Sequence, residues 1–119
     1  MVLVDTSIWI DHLRKSISLL EDFLLEEKVA IHPMVIGEIA CGNLSNRDEI
    51  ISLLNALPQV IEASNDEVHF LIQSKQLYGK GLGWIDVHLL ASCSLSKVSL
   101  WTRDKRLEKE GLRIGVSRD

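Results

Sequence analysis

Four acidic residues stand out because each is enclosed by apolar neighbours, whereas most other acids cluster on polar helix faces. They are Asp5 in LVDTSI, Glu38 in MVIGEIACG, Asp86 in GWIDVHLL and Asp104 in LWTRDKRL. An isolated carboxylate in apolar surroundings is unfavourable unless it is paired or binds a cation. Carboxylates packed together repel one another, so a cluster of these residues would require cations at neutral pH.

Oxygen-only ligation selects hard cations, so the cluster predicts Mg²⁺ or Mn²⁺ rather than zinc. The chemistry that such a site supports is phosphodiester hydrolysis, in which one or two metal ions activate water, orient it in line and stabilise the leaving oxygen. We therefore expect Asp5, Glu38, Asp86 and Asp104 to be both the catalytic residues and the metal ligands.

Each acid also has a purely structural alternative. Asp5 and Asp86 could cap helices, Glu38 could face solvent, and Asp104 could belong to a turn. Each alternative is reasonable by itself, but their joint occurrence at comparable junctions favours one common site.

The elements around these acids explain how they would meet. Met1 to Val4 form an apolar run typical of a strand buried on both faces, and Asp5 ends it. Thr6 and Ser7 offer hydroxyls that can cap the following helix and leave the Asp5 carboxylate free. Ligand sites of open α/β sheets lie beyond the carboxyl ends of strands, which is where this carboxylate stands.

The rest of the sequence alternates helical and extended patterns. Helices are predicted over 7–14, 18–27, 33–41, 47–57, 64–78, 85–96 and 104–110, and strands over 1–4, 29–31, 59–61, 98–102 and 112–116. Such alternation favours parallel pairing through right-handed crossovers. We expect an α/β fold, a three-layer α/β/α sandwich with a short, mainly parallel sheet of about four to five strands.

Composition places the chain among ordinary globular proteins. Its 119 residues fit one domain over 1–119, with 46% hydrophobic and 25% charged residues. No apolar run approaches the roughly 20 residues that span a bilayer. Asp5 and Asp11 interrupt any apolar signal sequence, so we expect a cytoplasmic protein. Cys41 and Cys93 lack metal or disulfide spacing and are predicted to be reduced core thiols.

Charge is distributed unevenly along the chain. The formal net charge is −4, but residues 1–96 carry −7 and residues 97–119 carry +3. A basic C-terminal segment is compatible with phosphate contact, although it could equally be solvated. The candidates for phosphate binding are Arg103, Lys105 and Arg106, which flank Asp104, and Lys80 in the glycine loop at 79–83.

Taken together, the segments VDTSIWID, GEIACG, GWIDVHLLA and LWTRDKRL resemble the PIN domain, and more narrowly the VapC-type toxins of bacterial type II toxin–antitoxin pairs. The resemblance covers nearly the whole chain. It implies a Mg²⁺- or Mn²⁺-dependent endoribonuclease that cleaves structured RNA, commonly tRNA or rRNA, and blocks translation. It also implies a homodimer and a cognate VapB-type antitoxin whose C-terminal segment enters the active site; DNA would be contacted only through that antitoxin.

The resemblance also assigns roles to individual residues. Asp5 and Asp86 would be direct metal ligands, and Asp104 and Glu38 would complete the site through water or a second cation. Two hydroxyls, Thr102 and Ser7, would orient a carboxylate or water from the second layer of the site.

Two other folds with an acidic metal pocket are excluded because this chain lacks residues that they require. A receiver domain requires a lysine where Asp104 stands, and a haloacid-dehalogenase-type phosphatase requires an aspartate where Ser7 stands. Two alternatives stay open: the chain could be a catalytically silent interaction module that binds RNA or an antitoxin, and Trp84 could stack on bases.

We also expect part of an apolar set on the early helices to form a groove for an antitoxin helix. That set is Leu19, Leu20, Phe23, Leu24, Ile50, Ile51 and Leu54.

Overall fold

A parallel β-sheet forms the centre of the molecule in the computed structural model, which describes residues 1–118. Its middle strand, β1 (Val2–Val4), lies between β2 (Val29–Ala30) and β3 (Ser99–Trp101), so the order is β2-β1-β3. In the register of the sheet Val2 lies opposite both Val29 and Ser99. All of β1 is buried, as expected for an unbroken apolar strand.

Helices connect these strands. Along residues 1–118 they are α1 (Thr6–Arg14), α2 (Ser18–Leu25), α3 (Pro33–Ala40), α4 (Arg47–Asn55), α5 (Asn65–Lys75), α6 (Trp84–Ser96) and α7 (Lys105–Arg113). Each corresponds to a helix predicted from the sequence, with bounds that differ by a few residues. None of these helices has the length and apolarity needed to cross a membrane.

The predicted α/β sandwich with a parallel sheet is confirmed, but the sheet has three strands within residues 1–118 rather than four or five. The segment predicted as a strand at 59–61 contributes only a single parallel bridge, from Gln59 to Ile31. The strand predicted at 112–116 is wrong, because its first residues belong to the end of α7.

A helix-ending motif explains this error. The Val116 N–H donates to the Gly111 carbonyl at 2.8 Å, and the Gly115 N–H donates to the Leu112 carbonyl at 3.1 Å. Gly115 has φ +83°, the left-handed conformation that such a helix end requires. The chain becomes extended only afterwards, where Ser117 forms a parallel bridge to Leu100. The apolar pattern at 112–116 therefore reflected packing at a helix terminus.

The strand order determines where a site can form. The connection from β1 leads to β2 on one side, and the chain then crosses to β3 on the other side of β1. The carboxyl ends of β1 and β3 thus meet at the point where the direction of winding reverses. Open α/β sheets bind ligands at such a point. Asp5 follows β1, and Thr102 to Asp104 follow β3, so this edge carries two of the predicted acids.

Burial confirms some of the minor expectations and corrects others. Cys93 lies in the core as predicted, and burial raises the pKa of its thiol to about 12. Cys41 is exposed after the last residue of α3, so its prediction as a core thiol was wrong. Leu20 and Leu54 are also fully packed inside the molecule and are not available to a partner.

Two histidines act as hydrogen-bond acceptors at the beginnings of helices. His32 Nδ1 accepts the Met34 N–H at 3.0 Å and caps α3, and His12 Nδ1 accepts the Ile17 N–H at 2.9 Å before α2. A protonated Nδ1 cannot accept a hydrogen bond. Burial lowers the pKa of His32 below its ordinary value of 6.5, with His88 adding to the shift and Glu62 opposing it.

This arrangement predicts a pH dependence of stability. Because the folded pKa of His32 is depressed, its stabilising contribution is present above pH 6.5 and is lost as the pH falls through and below that value. His32→Asn keeps an acceptor for the cap but cannot be protonated, so its free energy of unfolding should fall less between pH 7.5 and pH 5.5, by about 1 kcal/mol. Urea unfolding at both pH values measures the difference. The same substitution at the exposed His69 is the control, and equal pH dependence in both variants would contradict the assignment.

Candidate active site

Asp5 is the centre of the site. Its carboxylate is only 7% exposed and accepts hydrogen bonds from the Thr6 N–H at 2.8 Å, the Ser7 hydroxyl at 2.9 Å and the Thr102 hydroxyl at 2.7 Å. Asp5 is itself the N-cap of α1, so the expectation that Thr6 and Ser7 perform the capping was wrong. A carboxylate offers about four lone-pair directions, which leaves about one for a further partner.

Thr102 joins two of the acids. Its hydroxyl donates to Asp5 and accepts the Asp104 N–H at 3.0 Å, and it lies 3.4 Å from the Ser7 hydroxyl. Ser7 in turn accepts the Arg103 N–H at 3.1 Å. Both hydroxyl residues predicted to orient the site therefore contact Asp5, and together they connect α1 to the segment after β3.

Asp104 and Glu38 occupy the exposed rim of the site. Asp104 caps α7, because its Oδ1 accepts the Arg106 and Leu107 N–H groups at 3.0 and 3.1 Å. Glu38 lies in α3 and accepts the Thr6 hydroxyl at 2.6 Å. Thr6 was not predicted to belong to the site, although its place beside Asp5 was the available signal. Because Thr6 follows Asp5 in the chain, its hydroxyl holds Glu38 beside the first residue of α1.

Asp86 lies in the first turn of α6. Its Oδ2 accepts the Gly83 N–H at 2.8 Å. Burial raises the pKa of Asp86, the Gly83 hydrogen bond opposes this shift, and the negative charges of Asp5 and Asp104 add to it. Asp86 therefore lies within the electrostatic range of Asp5 and Asp104. The helix-capping alternative for Asp86 is thus present, with Asp86 at the third position of α6 rather than at the N-cap.

The donor chemistry of the site fits a hard cation. All four acids offer oxygen ligands, and a divalent cation would relieve the repulsion by Asp5 and Asp104 that adds to the effect of burial on the pKa of Asp86. Within residues 1–118, however, no group of three aspartate, glutamate, histidine or cysteine side chains is arranged so that it could hold a metal ion. Metal ligation by Asp5, Glu38, Asp86 and Asp104 therefore stays a prediction.

The basic residues predicted to bind phosphate lie on the segment after β3, at the start of α7 and in the glycine loop. Arg103 pairs with Asp11 of α1 through its guanidinium, a contact that sequence reasoning did not find. Arg106 lies across the glycine loop, because a Cβ added at Gly81 would come within 2.8 Å of the Arg106 side chain. That packing brings Arg106 to the loop that contains Lys80. Lys105, the first residue of α7, is exposed.

Trp84 has aromatic neighbours on the other side of α6. Its ring lies 4.7 Å from that of His88 and 5.0 Å from that of His69 in α5, measured between centroids. Residues two apart on a helix point in nearly opposite directions, so Trp84 and Asp86 do not share a face. This placement does not favour base stacking by Trp84 beside the acids.

Comparisons with known proteins agree with this fold. The PIN domain family model matches residues 2–111. The crystal structure of PAE2754 from Pyrobaculum aerophilum superposes with a TM-score of 0.66 and 18% identity over 92% of this chain and 83% of that chain, which supports the fold alone. The chain belongs to the PIN domain family.

Within that family the chain is of the VapC type. A protein named Ribonuclease VapC32 from Mycobacterium tuberculosis strain CDC 1551 / Oshkosh is 42% identical over 118 residues, which cover 98% of this chain and 95% of the relative. The protein of the same name from strain ATCC 25618 / H37Rv matches with the same identity and coverage. The resemblance found from the four acidic segments is thus confirmed.

The double role of Thr102 leads to a stability prediction. Thr102→Val removes a donor from a buried carboxylate and an acceptor from the Asp104 N–H, so the free energy of unfolding should fall by about 2 kcal/mol. Thr102→Ser keeps the hydroxyl and should recover most of that loss. Thr6→Val is the matched control, because its hydroxyl serves an exposed carboxylate and its loss should cost less than about 0.5 kcal/mol. Urea unfolding measures all three. Equal losses in Thr102→Val and Thr6→Val would argue against a central role for Thr102.

Proposed function

We propose that this protein is a metal-dependent endoribonuclease, the toxin of a type II toxin–antitoxin pair, which cleaves structured RNA such as tRNA or rRNA and thereby inhibits translation. The observation that supports the proposal is that Thr102 hydrogen-bonds both the Asp5 carboxylate and the Asp104 N–H beyond the ends of β1 and β3, while the negative charges of both acids act on Asp86. The similarity to proteins named Ribonuclease VapC32 supports the activity.

The four acids would hold Mg²⁺ or Mn²⁺, with Asp5 and Asp86 as direct ligands and with Asp104 and Glu38 acting through water or a second cation. When bound, the metal supplies an activated water and stabilises the leaving oxygen. Hydroxyl and amide donors fix the carboxylates in advance, because Thr102 and Ser7 hold Asp5 and the Gly83 N–H holds Asp86. Their orientation therefore does not depend on the substrate.

Cations beside the acids would bind the RNA backbone. Arg103, Lys105 and Arg106 surround Asp104 at the start of α7, and Lys80 lies in the loop against which Arg106 packs. Contacts with phosphates give affinity without base specificity. These residues would position a strand across the acidic edge, where its scissile phosphate meets the carboxylates.

A groove between helices α1, α3 and α4 suits the expected VapB-type antitoxin. Its volume is about 580 Å³, and Glu38 lines it together with the apolar side chains of Ile10, Leu13 and Ile50. An apolar helix face from a partner would fit such a groove, and a cationic residue of that partner would reach the acids through Glu38. Of the apolar set expected from the sequence, Ile50 lines this groove.

The proposal also covers the oligomeric state of the protein and its location in the cell. We expect a homodimer, and the exposed Phe70 and Leu95, which line the recess between α5 and α6, form an apolar surface that could be buried in it. DNA would be contacted only through the antitoxin. Action on translation implies that the protein works in the cytoplasm.

One substitution tests the activity. Asp5→Asn keeps an oxygen for the Thr6 N–H cap, and the neighbouring hydroxyls can reverse their hydrogen bonds, so the fold should persist. Without the negative charge, cleavage of labelled total tRNA in Mg²⁺ or Mn²⁺ should fall by at least about 100-fold. Circular dichroism and unfolding curves check the fold, and mapping of RNA ends after induced expression identifies the target.

Asp66→Asn provides the matched control, since it makes the same chemical change at an exposed position in the first turn of α5, outside the predicted site. It should cleave RNA like the wild type. If the wild-type protein and Asp5→Asn were equally inert with both metals, the nuclease proposal would be rejected. The silent interaction module would then be the better description.

The antitoxin groove is tested separately. Ile50→Glu introduces a charge into the apolar lining and should weaken co-purification with the product of the open reading frame immediately upstream by roughly tenfold or more. RNA cleavage by the free protein should be unchanged. Leu53→Glu, on an exposed position of the same helix outside the groove, is the control. Equal capture of the wild type and Ile50→Glu would place the partner elsewhere.

A further inference from the structure

A recess at the end of α1 is lined by three cations, Arg14, Lys15 and Arg103. It has a volume of about 490 Å³ and is lined by Asp11, Arg14, Lys15, Ser16, Ile17 and Arg103. Its side chains include three cations and one acid, so it is locally positive on a chain whose formal net charge is −4. A positive recess on an acidic protein is a site for an anion.

This recess is connected to the active site by hydrogen bonds. Arg103 contributes its side chain to the recess, while its backbone N–H donates to Ser7, which donates to Asp5. Asp11 lies six residues beyond Asp5 along α1. At 1.5 Å per residue this is about 9 Å along the helix axis. A strand whose scissile phosphate meets Asp5 therefore has a neighbouring part of its backbone within reach of the recess.

The pair formed by Arg103 and Asp11 is suited to exchange. Both side chains are well exposed, 52% and 41% respectively, and such ion pairs contribute little net free energy in water. A guanidinium binds phosphate with two parallel hydrogen bonds, which a single carboxylate contact does not satisfy. A phosphate can therefore replace Asp11 as the partner of Arg103 without breaking a buried interaction.

We propose that Arg14, Lys15 and Arg103 form a phosphate subsite for the RNA backbone next to the scissile phosphate, and that Asp11 occupies Arg103 until RNA arrives. This inference rests on the proposed function and extends it by assigning Arg14, Lys15 and Asp11 to substrate binding. The competing explanation is structural, since cations at the end of α1 also complement the negative end of its helix dipole.

The test measures binding of a fluorescein-labelled, single-stranded 2′-O-methyl oligoribonucleotide to the intact protein in Ca²⁺ by anisotropy over a range of salt concentrations. Arg103→Ala and the double variant Arg14→Ala/Lys15→Ala should weaken binding by roughly three- to tenfold and reduce the salt slope by about 0.7 for each phosphate that the variant no longer neutralises. Asp11→Asn should tighten binding by roughly two- to fivefold, because it frees Arg103. Lys75→Ala removes a cation from the last turn of α5 and should change neither quantity.

The sign of the Asp11→Asn effect separates the two explanations. If the pair serves only structure, Asp11→Asn weakens binding or leaves it unchanged, and that result overturns the subsite. Absence of binding by the wild type, or equal binding by all variants, also overturns it. A parallel cleavage assay with labelled tRNA distinguishes this failure from failure of the proposed function, because an inert protein that shows the expected pattern of binding retains the subsite.

Discussion

The site depends on satisfying one buried negative charge. The Asp5 carboxylate is enclosed where β1 becomes α1, and a charge in that position is tolerated only when donors surround it. One donor is the backbone of α1, and another is Thr102 beyond β3. The sheet order brings these segments together, and Thr102 then holds the N–H of Asp104. The same Thr102 hydroxyl that satisfies the Asp5 charge therefore also positions the backbone of Asp104.

Segregation of charge explains how an acidic protein can act on a polyanion. Asp5 and Asp104 follow β1 and β3 at the carboxyl edge of the sheet, and their negative charges act on Asp86. The nearby cations lie outside this edge, on the first turn of α7, along the glycine loop and at the end of α1. These basic side chains would attract a polyanion. It would meet the carboxylates only where a bound metal cation neutralises them. The net charge of the chain conceals this arrangement.

Patterns that are local in sequence were predictable, and contacts that depend on tertiary structure were not. The four acids could be found because each interrupts an apolar segment, and the helices because their periodicity is strong. The strand at 112–116 was wrong because a helix terminus ending at Gly115 has the same apolar spacing as a short strand. The pair between Asp11 and Arg103 joins residues far apart in the chain, so no spacing indicated it. Cys41 shows the same limit, since an apolar helix pattern does not say which face is covered.

The sharing of one side chain between a helix cap and the predicted metal site has an evolutionary consequence. Most substitutions at Asp5 remove the cap together with the charge, so they destabilise the fold by about 1 kcal/mol as well as removing a predicted metal ligand. Asparagine keeps the cap without the charge, and one base transition converts an aspartate codon into an asparagine codon. A folded chain that has lost its chemistry but still presents its surfaces to partners is therefore a single mutational step away. Duplicated copies of this gene could acquire a purely regulatory role by that route.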